Sequence, residues 1–221
     1  DPEVVRCFLI STHYRSPIEF SDAQLNEAEI SIDRYYSTVM RIQDFIEALS
    51  NSAPFIETAG NAKETSALNE FENLLFSTRG KFEDAMNDDF NSALAIGSIF
   101  ELIRETNRFL DAQNPPIPPL AKGGKEGGKE LVLKAKEMLA ELGGVLNIFQ
   151  RTPEEWYKAL MKVKNIGLTE KDIIDKISER QEARQKKDWA LADKIRKELD
   201  EKGIILEDKK DRTTWRVKIG Q

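Results

Sequence analysis

The sequence predicts a mainly α-helical protein, in which an antiparallel helical bundle is followed by a small C-terminal domain of helices plus a β-hairpin. Three observations support this prediction: apolar seams at helical spacing run through residues 21–150, helix caps are frequent over residues 151–203, and two short β-branched runs follow. The 221 residues suit two unequal domains. No apolar run approaches the roughly 18 residues that a bilayer requires, so we expect no membrane partner.

The chain opens with a predicted short helix. Asp1 is a suitable N-cap and Pro2 a suitable first helical residue, and the helix is expected to run to about Ser11. Pro17 then requires an extended turn, because it disfavours helical backbone in the residue before it. The chain begins without Met or a leader-like segment, so we expect it to be an internal piece of a longer protein.

Four long amphipathic helices are predicted for residues 21–150. The longest has apolar residues spaced alternately by three and four positions, as in a helix packed along antiparallel neighbours. This seam comprises Leu25, Ala28, Ile32, Tyr35, Val39, Ile42, Ile46 and Leu49. Similar patterns predict further helices over about 64–86, 92–110 and 126–149.

An insertion is predicted at residues 114–128, where eight of fifteen residues are Pro or Gly. Such a composition disfavours a helix and buries little surface, so we expect a flexible excursion between helices. Lys122 and Lys125 offer the alternative of a phosphate contact, although the glycine spacing lacks the strand-to-helix setting of a phosphate loop.

The last predicted domain, residues 151–221, differs in charge from the rest of the chain. Residues 170–221 carry 15 Lys and Arg against 13 Asp and Glu, whereas the whole chain has a net charge of −6. Its basic groups therefore lie where a polyanion could use them. The predicted elements are helices starting after Thr152 and Thr169, a helix over 188–202, and hairpin strands over 204–207 and 213–218.

The sequence contains one cysteine and one histidine, Cys7 and His13, which excludes a Cys- and His-based zinc site and an intramolecular disulfide. A buried, inert thiol is one interpretation of Cys7, and a nucleophile pair with His13 is another. Asp88 and Asp89 would suit a magnesium-dependent hydrolase, yet Asp89 or Asn91 as the N-cap of the next helix explains these residues more simply.

Four residues around a predicted helix–helix corner suggest recognition of nucleic acid. Arg180 and Arg184 leave one helical face, while Trp189 and Asp193 are one turn apart on the next helix. Unpaired bases stack on aromatic rings while charged side chains contact base edges and phosphates. In the alternative interpretation, Trp189 is a core residue, Asp193 is surface, and the arginines pair with glutamates of their own helix.

Two further arginines are candidate contacts. Arg15 follows the first helix and could bind a phosphate, while its neighbour Tyr14 could either face solvent or fill the core under the bundle. In the hairpin, Trp215 is expected in the core, and Arg216 should face outward because it alternates with Val217.

Three stretches, taken in order, resemble cysteinyl-tRNA synthetase, a class I aminoacyl-tRNA synthetase. Residues 6–17, RCFLISTHYRSP, resemble the segment that follows the KMSKS loop of that family. Residues 82–91, FEDAMNDDFN, match its middle, and residues 180–216 match its C-terminal signature. The chain departs from the family at the insertion 114–128 and matches weakly at about 151–168.

The resemblance implies three parts: a remnant of the stem-contact fold (1–20), a tRNA-binding helical bundle (21–150) and an anticodon-binding domain (151–221). It also implies a catalytic domain upstream, with the ATP and zinc sites. We therefore expect no catalytic residue, metal or cofactor in this chain. The expected whole protein is a cytoplasmic, monomeric cysteine–tRNA ligase that uses ATP, and the expected partner is tRNA-Cys.

In that family, the positions that approach the anticodon match Arg180, Arg184, Trp189, Asp193 and Asp208 here. The chemistry agrees, because a cysteine anticodon begins with guanine, whose N1–H and N2–H donors suit a carboxylate. The alternative function is a non-catalytic helical protein-interaction module.

Overall fold

The computed structural model describes residues 1–50, 62–112, 124–209 and 212–219. They form eight helices and two strands within those ranges, grouped into two compact units. We call Pro2–Gln150 the bundle unit, and Arg151–Gln221 together with Asp1 the C-terminal unit. The predicted mainly helical fold with a terminal hairpin is confirmed. None of the helices in the described ranges is both long and apolar enough to cross a membrane.

The bundle unit contains five helices. They are α1 (Pro2–Ile10), α2 (Asp22–Ser50), α3 (Ala62–Asn87), α4 (Ser92–Ala112) and α5 (Gly124–Val145). The middle of the predicted α2 seam is buried, and Ile32 and Ile42 are fully enclosed. The side chains that complete this core come mainly from α4 and α5, as the amphipathic patterns predict.

The first helix is part of the bundle unit rather than a separate body. Glu3 is buried and accepts a hydrogen bond from the Tyr36 hydroxyl of α2 at 3.0 Å. It also accepts one from the Phe149 backbone N–H, beyond the end of α5. One carboxylate therefore joins three segments that are distant in sequence.

The last helix of the bundle unit, α5, begins and ends earlier than the helix predicted over about 126–149. The expectation of a helix-free stretch over 114–128 is wrong for its last five residues, because α5 starts at Gly124. Packing overrides glycine's low helix propensity here: a Cβ on Gly128 would lie 3.7 Å from the Phe109 ring. The rest of that prediction, residues 114–123, lies outside the described residues.

The end of α5 explains why the helix does not reach Phe149. Asn147 adopts a left-handed conformation (φ 54°), and the Ile148 N–H bonds to the Gly143 carbonyl at 2.9 Å. This arrangement ends a helix. Gly143 is required for close approach, since a Cβ there would lie 2.5 Å from the Phe149 ring. The chain turns back so that Phe149 stacks on Tyr35 with ring centroids 3.8 Å apart.

The C-terminal unit contains α6 (Pro153–Val163), α7 (Glu170–Gln185), α8 (Trp189–Glu201), β1 (Ile204–Asp208) and β2 (Thr213–Val217). Thr152 and Thr169 form capping boxes at the starts of α6 and α7, as predicted. The strands are antiparallel, with Ile204 opposite Val217 and Asp208 opposite Thr213. Trp215 is only half-buried and lies 6.4 Å from the Tyr157 ring of α6, so its predicted core position is partly correct.

Candidate nucleic-acid interface at the α7–α8 corner

The turn between α7 and α8 has a fixed geometry. The Asp188 N–H bonds to the Ala183 carbonyl at 2.8 Å, and the Lys187 N–H bonds to that of Arg184 at 3.1 Å. These two bonds define a Schellman motif, with Lys187 in the left-handed position at φ 61°. Asp188 then caps α8 by accepting a bond from the Leu191 N–H at 3.0 Å.

This turn places Trp189 at the first position of α8, where 59% of its surface is exposed. The alternative that Trp189 belongs to the core is therefore wrong. A tryptophan usually loses most of its exposure on folding, so an open ring at the start of a rigid helix is unusual. It offers a flat apolar face for stacking.

Arg180 and Asp208 form an ion pair that links α7 to the end of β1. Arg180 is buried, and its two terminal nitrogens donate to the two Asp208 oxygens at 2.7 Å each. Thr213, opposite Asp208 in the hairpin, donates a third bond to it at 2.9 Å. The hydrogen bonds from the Arg180 guanidinium hold the pKa of the Asp208 carboxyl well below its usual range, although the partial burial of Asp208 acts in the opposite direction. Asp208 is therefore ionised at neutral pH.

Arg184 shares this carboxylate. Its guanidinium lies 3.2 Å from Asp208, while its side chain remains 44% exposed. The alternative in which Arg180 and Arg184 pair with glutamates of α7, Glu179 and Glu182, is wrong, since both pair with Asp208 instead. Arg180 is thus enclosed, and Arg184 retains an accessible face.

Asp193 completes the cluster from the next helix. It is exposed, and its charge is close enough to Arg180 to raise the pKa of that guanidinium, after the larger effect of Asp208. Its carboxylate makes no ion pair or hydrogen bond with the part of the chain that the structure describes. Because Trp189 and Asp193 are four residues apart on α8, the ring and the open carboxylate share one face.

The structure thus groups five of the seven predicted residues around this corner: Arg180, Arg184, Trp189, Asp193 and Asp208. Arg216 lies on β2, where its side chain bonds to Glu207 at 2.7 Å. Arg15 belongs to the bundle unit, where it bonds to Asp89 at 3.1 Å.

The structure also tests the sequence hypotheses about Tyr14, Asp89, Asn91 and Cys7, which all lie in the bundle unit. Tyr14 is exposed and bonds to Asp89 at 2.9 Å, so it does not fill the core. Asn91 caps α4 by accepting from the Leu94 N–H at 3.1 Å. Asp89 is occupied by Tyr14 and Arg15, and no metal-binding group of three or more His, Cys, Asp or Glu occurs among the described residues. Burial raises the pKa of the Cys7 thiol to about 11, which suits an inert thiol.

Sequence reasoning missed a groove beside this corner. Asp193, Arg196 and Lys197 of α8 line a cavity of about 300 Å³ against Ile205 and its neighbours in β1. The signal was available: Trp189, Asp193, Arg196 and Asp200 are spaced by 4, 3 and 4 residues, which places them on one helical face.

Comparison with known proteins finds that part of each unit matches a known domain. Residues 81–150 match the DALR domain, and residues 177–216 match the cysteinyl-tRNA ligase anticodon binding domain. The second match contains the whole corner.

Curated relatives match over nearly the entire chain. Proteins called cysteine–tRNA ligase from Thermodesulfovibrio yellowstonii and Geobacter metallireducens are 46% and 39% identical to it over 222 aligned residues, and one from Geotalea daltonii is 37% identical over 224. Each alignment covers 99% of this chain. The chain spans about two fifths of the length of these relatives, 41–42%. The chain therefore belongs to the cysteine–tRNA ligase family and contains its DALR domain and its anticodon-binding domain.

Proposed function

We infer that the C-terminal unit binds tRNA by holding an unpaired anticodon base against Trp189. The observation that carries this inference is the exposed indole ring, which shares one face of α8 with the exposed carboxylate of Asp193. Stacking on an aromatic ring accepts any base, whereas a carboxylate accepts hydrogen bonds only from bases that present donors there. The pair therefore favours guanine, which presents N1–H and N2–H on one edge.

The arginines and Asp208 have different roles in this proposal. Arg184, with its open face, contacts a phosphate or a base acceptor. Arg180 is a positioning residue, because its guanidinium is enclosed and occupied by Asp208. Asp208 holds both arginines in place, and 36% of its own side chain is exposed. Arg216 and Arg15 are candidate backbone contacts, which would have to exchange their carboxylate partners for phosphate.

We extend the proposal to the whole protein that the relatives represent: an ATP-dependent cysteine–tRNA ligase that acts as a cytoplasmic monomer on tRNA-Cys. Its zinc does not fit the residues of this chain, because the single cysteine is buried with a raised thiol pKa and zinc binds thiolate. We therefore assign the ATP and zinc sites to the part of the relatives that this chain does not cover. We expect this chain alone to show no pyrophosphate exchange with ATP and cysteine.

The proposal is tested by measuring the affinity of the chain for the anticodon stem-loop of tRNA-Cys. Trp189→Ala should weaken binding by about 1–3 kcal/mol, with little change in the salt dependence, because stacking releases no counterions. Phe76→Ala is the matched control: it removes another exposed aromatic ring, 87% accessible, from α3 of the bundle unit. Indifference of the parent chain to the stem-loop would instead favour the protein-interaction module.

A further inference from the structure

The arginine charges at the corner are balanced by carboxylates, which weakens their attraction for an RNA backbone. Arg180 and Arg184 face two carboxylates, Asp208 and Asp193, so the formal charge of these four groups is zero. Every arginine named from the sequence has a carboxylate partner within 3.2 Å. The pairs are Arg180 and Arg184 with Asp208, Arg216 with Glu207, and Arg15 with Asp89. A strand that crosses the corner therefore binds more tightly if its phosphates also reach a cation that has no carboxylate partner.

Arg196 is such a cation. It is exposed on α8, and its guanidinium makes no ion pair or hydrogen bond within the described ranges of the chain. It lies seven residues after Trp189, about 10 Å along the helix axis and on the same face.

The groove beside Arg196 has the chemistry of a nucleotide site. Its floor is β1, where the half-buried Ile205 provides the apolar surface that a ligand can reach, because Ile204 and Leu206 are buried. Its α8 wall carries the open carboxylate of Asp193 at one end and the guanidinium of Arg196 further along. The volume, about 300 Å³, is at the lower end of small-ligand sites and corresponds to about ten water molecules.

We propose that this groove binds a second unpaired nucleotide of the same RNA strand, with its base on the β1 floor and its phosphate on Arg196. This proposal rests on the proposed function and deepens it: Trp189 and the groove become consecutive sites, with Asp193 at their boundary. Lys197 adds a weaker contact, because Glu201 lies 3.8 Å from its ammonium.

RNA suits this groove better than an acidic protein segment does. The groove wall contains two carboxylates, Asp193 and Asp200, which would repel the side chains of an acidic peptide. A nucleotide separates its charges differently, with an anionic phosphate for Arg196 and neutral base donors for Asp193. Asp200 is already paired with Lys218 at 3.3 Å, which orients the far end of the groove.

The test compares Arg196→Gln with Lys194→Gln, using the anticodon stem-loop of tRNA-Cys across a salt series. Lys194 is the matched control, because it is a cation on the same helix, lies outside the groove and has a neighbouring carboxylate, Glu198. At about 0.1 M salt, Arg196→Gln should lower affinity by about five- to tenfold and reduce the salt slope by about one phosphate. Lys194→Gln should change affinity less than about twofold.

A second measurement identifies the bound nucleotide. Stem-loops with one abasic site at each loop position are titrated against the parent chain and Arg196→Gln. One abasic site should weaken binding several-fold in the parent, yet have less effect in the variant, because the base and the phosphate of one nucleotide are held in the groove together.

The possible failures are distinguishable. If the parent and Phe76→Ala bind the stem-loop, Trp189→Ala loses affinity and Arg196→Gln binds like the parent, the groove proposal is wrong and the proposed function stands. If the parent binds no stem-loop, the proposed function itself fails. If poly-glutamate binds through Arg196 more tightly than the RNA does, the groove belongs to a protein partner and the proposal is overturned.

Discussion

Replacement of Asp208 by Asn should destabilise the C-terminal unit far more than the same change at the adjacent acid. Asp208→Asn leaves Arg180 with 6% of its side chain exposed and without its carboxylate. Removal of one partner of a buried ion pair typically costs 3–5 kcal/mol. Because Asp208 itself is 36% exposed, water replaces part of the loss, and we expect about 2–3 kcal/mol.

Glu207→Gln is the control. It removes the same charge one residue earlier in β1, and its partner Arg216 is 33% exposed. An exposed pair of this kind contributes about 1 kcal/mol or less. In thermal unfolding, Asp208→Asn should lower the Tm of the C-terminal unit by about 8–24 °C, at the 4–8 °C per kcal/mol of a domain of this size. Glu207→Gln should lower it by about 8 °C at most.

The pH dependence provides an independent check. Arg180 depresses the pKa of the folded Asp208 carboxyl, so its contribution is present above the unfolded pKa near 4 and is lost as the pH falls towards the folded pKa. The stability gap between the parent and Asp208→Asn should therefore stay constant from about pH 7 to 5 and narrow below about pH 4. Equal losses in Asp208→Asn and Glu207→Gln, or a gap that widens in acid, would refute the assignment of a buried, ionised pair.

Two other substitutions test the corner. Asp193→Asn replaces one acceptor oxygen by a donor. Affinity for a stem-loop with guanine at the first anticodon position should therefore fall more than affinity for one with adenine. Equal losses of affinity in a direct titration would contradict base recognition by Asp193. Lys187→Gly should stabilise the chain by about 1 kcal/mol in urea unfolding, because φ 61° strains a lysine but suits glycine. Lys186→Gly, at φ −78° one residue earlier, should destabilise it, and a loss of stability in both variants would argue against strain at Lys187.

Local sequence patterns predicted most of the fold. The apolar seam of α2, the capping boxes at Thr152 and Thr169, and the hairpin were all predictable, because each depends on residues within a few positions of one another. The start of α5 was not, since the burial of Gly128 against Phe109 is a contact between distant segments.

The features of the corner likewise divide into those that local sequence spacing predicts and those that depend on distant contacts. The shared face of Trp189 and Asp193 follows from helical spacing, and the resemblance suggested the residues. The exposure of the ring and the partner of Arg180 did not follow. Asp208 lies 28 residues after Arg180, so their pairing depends on how the hairpin packs against α7, which local sequence patterns do not show. Helical spacing places Arg196 on the same face of α8 as Trp189 and Asp193, but it does not show that β1 lies beside that face, so the groove was missed.

The buried Glu3 carboxylate has a consequence for local unfolding. The Phe149 amide lies beyond the last turn of α5, yet it is hydrogen-bonded to a side chain near the beginning of the chain. Its hydrogen exchange with solvent therefore requires this contact to open, through movement of α1 or of the segment after α5, and its protection factor measures the free energy of that opening. A single backbone amide thus reports the stability of the contact that joins the two ends of the bundle unit.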